Sequence, residues 1–137
     1  MAPRWLLLGA LGALALLAHD AHGKKHAPAS AAKLKNPLTA AQLQPGAGRV
    51  AYERACGGCH GLDGKSGTPA AAKSKPKPTN LADGHMDTLK DGDLYWVITN
   101  GIGKQMPGFA KELSETDRWQ VVSYVRAFRT GAHKGHH

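Results

Sequence analysis

Residues 56–60 read Cys56-Gly57-Gly58-Cys59-His60, and they hold the only two cysteines of the 137-residue chain. Cys-x-x-Cys-His is the attachment sequence of a c-type haem. Each thiol at this spacing can form a thioether to one vinyl group of the macrocycle, and the adjacent histidine then falls beside the iron as its proximal ligand. No other stretch constrains the fold as much, because a covalently held haem becomes part of the core of so small a domain. Cys56 and Cys59 are therefore the candidate cofactor attachments, and His60 is the first candidate iron ligand.

The N-terminus reads as a processing signal. Met1 to Arg4 supply a positive start, Trp5 to Ala18 an uninterrupted run of apolar and small residues, and His19 to Gly23 a small-residue end. Cleavage is placed after Gly23; Ala27-Pro28-Ala29 and Ala29-Ser30-Ala31 also fit a small-x-small site. The fourteen-residue run is short of the roughly 20 residues a spanning helix needs. Residues 1–23 are thus expected to be a signal peptide, and the mature protein to be exported to the periplasm without a membrane span. An exported chain usually pairs its cysteines. A disulfide two residues apart would close a loop too small to stabilise much, so haem attachment accounts for the pair better. Zinc held by Cys56, Cys59, His60 and His85 would call for a second cysteine cluster, and a thioredoxin-like redox pair for a βαβ setting. Neither is present in the sequence.

Net charge is +8, and all the excess lies in residues 24–77, where ten Lys and Arg face Glu53 and Asp63. A one-sided basic surface suits an acidic protein, an anionic membrane or nucleic acid. No aromatic residues interleave with the basic ones, which argues against nucleic acid.

Residues 24–45 are rich in Ala, Lys and Pro without a sustained period and read as a flexible lead. The ordered domain is expected at 46–130, and the His-rich residues 131–137 as a disordered tail. Three helices can be placed. The first covers Gly46 to Ala55 and puts Gly48, Tyr52 and Cys56 on one face. The second follows the turn-rich Thr88–Asp93, carries Leu94, Val97 and Ile98 at i, i+3 and i+4, and stops at Asn100-Gly101. The third is capped by Ser114, carries an apolar stripe through Val121, Val122, Tyr124, Val125 and Phe128, and ends at Gly131. No segment alternates convincingly enough for a sheet. The long connection from Gly61 to Asp83 has little apolar content; such a loop is uncommon unless it wraps a large ligand.

From Gly48 to Phe128 the chain resembles class I monohaem c-type cytochromes, close to the bacterial group that includes cbb3-oxidase-type subunits. Besides the haem motif, the resemblance rests on Gly48 and Tyr52, on Tyr124 within Trp119-Gln120-Val121-Val122-Ser123-Tyr124-Val125-Arg126, and on Gln105-Met106-Pro107-Gly108-Phe109. It implies an all-α cytochrome c fold, with three main helices and long loops wrapped around one covalent haem c. Gly48 and Tyr52 would pack on Tyr124, and Met106 would be the distal ligand. A thioether there favours Fe(II) and raises the reduction potential, and Pro107 restricts the backbone of Met106. His85 and Met86 are rivals for that place, read here as a solvated histidine and a packing methionine. The resemblance also implies a proline carbonyl accepting from His60; Pro78 is favoured over Pro76. It gives Lys65, Lys73, Lys75 and Lys77 a docking role beside an exposed haem edge, the alternative being a solubilising loop.

The function expected on this reading is a periplasmic electron carrier, a monomer that is not itself an enzyme, exchanging single electrons with redox proteins that present acidic surfaces. The alternative is a haem enzyme subunit or a gas or redox sensor whose distal ligand is weak or absent.

Overall fold

The computed structural model describes residues 26–131, so the expected signal peptide and all but the first residue of the expected tail lie outside the described residues. Among the described residues five α-helices follow one another: α1 (Pro45–Ala55), α2 (Gly57–His60), α3 (Pro69–Lys73), α4 (Asp91–Asn100) and α5 (Glu115–Thr130). The described residues also hold two 3-10 turns, Ala31–Lys33 before α1 and Gly84–Thr88 between α3 and α4. Among the described residues there is no strand, only an isolated antiparallel bridge between Ile102 and Met106.

The three expected helices are α1, α4 and α5. Pro45 occupies the first turn of α1, where its missing N–H costs nothing. Asp93 caps α4, its Oδ2 accepting from the backbone N–H of Lys90 at 2.9 Å. Ser114 and Asp117 cap α5 reciprocally: Ser114 Oγ accepts from Asp117 N at 3.1 Å, and Asp117 Oδ2 from Ser114 N at 3.3 Å. Gly131 ends α5 in the left-handed conformation at φ 69°.

The first and last long helices pack directly on each other. A Cβ on Gly48 would sit 2.7 Å from Gln120 O and 3.1 Å from Tyr124 Cβ, so only glycine permits this approach. One helical turn on, Tyr52 is fully buried, with ring centroids 5.2 Å from both Tyr124 and Phe128. Its hydroxyl donates to Gly61 O at 2.7 Å, tying α1 to the turn after the Cys-x-x-Cys-His segment. Trp119 stacks on Tyr95 at 4.0 Å, which joins α5 to α4. Val121, Val122 and Val125 complete the core from α5, with Leu94 and Ile98 from α4.

The sequence reads residues 24–45 as a flexible lead; the structure packs much of that segment against the helices. Ala27 and Ala31 are buried, and Asn36 reaches Ser123 Oγ at 3.2 Å. Gln120 binds this segment on both sides, accepting from Gln44 N at 3.0 Å and donating to Gln42 O at 2.6 Å. Composition hides the packing because small alanines supply the contact and polar side chains the anchors.

Candidate haem site

The motif sits where α1 stops. Cys56 caps the end of α1, and Gly57–His60 form the single turn of α2. Gly61 then turns the chain at φ 78°, a backbone conformation that favours glycine. Cys56 is buried, Cys59 exposed, and they form no disulfide. Burial pushes the Cys56 thiol up to about 12, with the nearby Cys59 adding to the rise.

His60 is oriented by a backbone carbonyl. Its Nδ1 lies 3.0 Å from Thr79 O. A carbonyl can only accept, so Nδ1 carries the proton and Nε2 keeps a free lone pair, the form a metal ligand requires. Burial lowers the proton affinity of the ring, and the Thr79 bond partly opposes that effect. The expected acceptor, Pro78, is corrected by one residue to Thr79. Ser66 Oγ donates to the same Thr79 oxygen at 2.8 Å, and Ser66 N donates to His60 O at 2.8 Å. This pair of bonds turns the Thr79 carbonyl, rather than that of Pro78, toward the imidazole. Ser66, itself buried at φ 56°, is a residue that sequence reasoning missed; no motif marks it.

The loop that presents Met106 is also pinned. Ile102 N donates to Met106 O at 2.8 Å, and Phe109 N to Ile98 O at 2.9 Å. Gly101 makes the close turn possible: at φ 77°, a Cβ there would sit 2.6 Å from Gly108 N. Met106 is half-buried against the core.

Cys56, His60, Thr79 and Met106 line one cavity of about 360 Å³, within the range of small-molecule and cofactor sites. Its walls are largely aliphatic, with Leu81 from the long loop, Leu94 and Ile98 from α4, and Val121 and Val125 from α5. These residues fit a haem: an apolar slot, two thiols at attachment spacing, a correctly oriented imidazole and a thioether. Among the described residues no group of three or more His, Cys, Asp and Glu side chains could hold a metal ion by itself. Met86 is buried in the same cavity wall. His85 also lines the cavity but is exposed, with its Nδ1 3.2 Å from Asp83 Oδ1.

The long loop is organised around this site. Thr68 caps α3, its Oγ1 accepting from Ala71 N at 3.0 Å, and Leu81 N donates to Gly64 O at 2.8 Å. Lys65, Lys73, Lys75 and Lys77 on this loop are all exposed. A second loop, residues 82–91, is clasped by α5. Arg126 donates to Met86 O, Leu89 O and Asp91 Oδ1 at 2.6–2.8 Å, and Arg129 to Ala82 O and both oxygens of Asp87 at 2.8–3.2 Å. Among the described residues no helix is long and apolar enough to cross a membrane.

The family described as cytochrome c oxidase, cbb3-type, subunit III matches residues 43–125. No curated protein matches the chain. Among solved structures, the KustC0563 c-type cytochrome shares the fold, with a TM-score of 0.54 and 24% identity over 60% of this chain and 96% of that one. A chain of the Kuenenia stuttgartiensis reducing HAO-like protein complex Kustc0457/Kustc0458 matches with a TM-score of 0.55 and 30% identity over 69% of this chain. The match spans about half of that relative, 49% of its length.

Proposed function

The chain belongs to the cytochrome c oxidase, cbb3-type, subunit III family, and from that premise we propose that it is an exported, periplasmic single-electron carrier. Haem-based electron transfer on an all-α cytochrome c fold comes with the family. The finer assignments are ours. Cys56 and Cys59 would hold one haem c through thioethers, His60 Nε2 and Met106 Sδ would bind its iron, and Thr79 O holds the imidazole in place. The domain occupies residues 46–130, after a signal peptide at 1–23 and the leading segment.

The observation that carries this reading is the convergence of Cys56, His60 and Met106 on one aliphatic cavity. A haem held there would supply one-electron redox chemistry. The aliphatic residues around it would exclude water, and ligation by both His60 and Met106 would leave no iron position open to a substrate. Lys65, Lys73, Lys75 and Lys77, exposed on the long loop, would draw in an acidic redox partner. A similar chain occurs in a multi-protein complex, which favours work beside a larger oxidoreductase over free shuttling.

Reduced-minus-oxidised spectroscopy with a potentiometric titration tests the proposal, followed by carbon monoxide added to the reduced protein at neutral pH. One covalent haem and slow, weak carbon monoxide binding are expected. Rapid, tight binding would instead assign a sensor or an enzyme subunit with an open iron.

A further inference from the structure

We propose that residues 26–36 form a strap over the haem, extending the cofactor-binding set to a segment that the family match, beginning at residue 43, does not reach. The inference rests on the haem reading above.

Three observations carry it. Ala27 is only 6% exposed, and with His26 it lines the same cavity as Cys56, His60 and Met106. The segment is also seated on a purpose-fitted surface. Its 3-10 turn is closed by Ala31 N donating to Pro28 O at 2.9 Å and Leu34 N to Ala31 O at 3.0 Å. That turn rests on Gly92 in the first turn of α4, where a Cβ would land inside the carbonyl oxygen of Ala31 and 2.8 Å from that of Leu34. Finally, the far end is anchored on α5. Asn36 Nδ2 donates to Ser123 Oγ at 3.2 Å, while its Oδ1 accepts from Leu38 N at 3.0 Å. The strap thus bridges α4 and α5 and walls one side of the cavity.

A wall that removes water penalises the more highly charged ferric state, so the strap raises the reduction potential. It acts through cofactor burial.

The test uses the full, haem-loaded protein with Gly92→Ala, with Ala31→Arg, and with residues 26–34 deleted. Potentiometric titration is the main readout. Hydrogen exchange at Ala31, Lys33 and Leu34 reports on strap seating in the two point variants. Each variant is expected to keep its covalent haem. In the point variants those amides lose protection, and in all three the reduced-to-oxidised ratio at a fixed potential drops about fivefold. The deletion leaves α4 and α5 unaltered, so it decides the matter even if Gly92→Ala misfolds. An unchanged potential in the deletion variant overturns the strap. A wild-type protein without covalent haem overturns the haem reading instead, and its denatured absorption spectrum reveals that failure before any variant is compared.

Discussion

Around His60, a single carbonyl decides the chemistry. Thr79 O fixes the ring and the tautomer, and it is shared with the Ser66 hydroxyl, so the imidazole donates to an acceptor already half-engaged. Replacing the distal thioether is the sharpest test of the ligand set. Met106→Ala is expected to shift the reduced-to-oxidised ratio at a fixed potential about a hundredfold toward Fe(III), about 120 mV for a one-electron couple. The sulfur-to-iron charge-transfer band of the oxidised protein should vanish with it. An unaltered band would move the distal ligand to Met86, which lines the same cavity. The attachment motif is legible in the sequence because Cys-x-x-Cys-His is the attachment sequence of a c-type haem, and Met106 enters as a candidate ligand through the family resemblance. The Thr79 carbonyl and Ser66 are not legible there, since any residue type can offer a carbonyl and which one points inward depends on the loop's own hydrogen bonds.

Two element-level features hold the cavity in shape. The contact of α1 with α5 tolerates no side chain at position 48, where a Cβ would press on Gln120 O. Gly48→Ala should cost about 1–3 kcal/mol through overpacking, seen as an earlier thermal unfolding midpoint with the haem retained. A midpoint equal to wild type would mean that the helices separate without cost. The second feature is the clasp of α5 on residues 82–91. Hydrogen bonding from Arg129 holds the Asp87 carboxyl below its ordinary value of 3.8, and its charge adds to the effect. A lowered folded-state value means that the clasp contributes fully above about pH 4 and is lost as pH falls through that lower value. Amide exchange in residues 82–91 should therefore be insensitive to pH-driven loosening near neutrality and should open selectively in acid. Arg129→Gln should abolish the acid step. Start and stop residues made α1, α4 and α5 readable in sequence. The short α2, α3 and 3-10 turns were not, because one turn has no periodicity and exists only where tertiary contacts hold it.

For the whole molecule, charge and topology matter more than any single contact. The lysines of the long loop are exposed, and the excess positive charge lies in the stretch that contains them. Reversing Lys73, Lys75 and Lys77 to glutamate should slow electron exchange with an acidic redox protein about tenfold or more at low salt and flatten its ionic-strength dependence. Equal rates at low salt would make the lysines merely solubilising. The asymmetry was visible in the sequence; the docking of residues 26–44 on the helices was not, since its Ala, Lys and Pro composition matches that of a linker. The pairing of α1 with α5 also sets an order of assembly. The attachment motif emerges at the end of the first long helix, yet Val121 and Val125, which close its cavity, belong to the last. Joining elements so far apart in sequence is slow compared with forming either helix alone. Until that junction forms, the cavity that Cys56 lines stands as an open trough, and the last helix is what closes it.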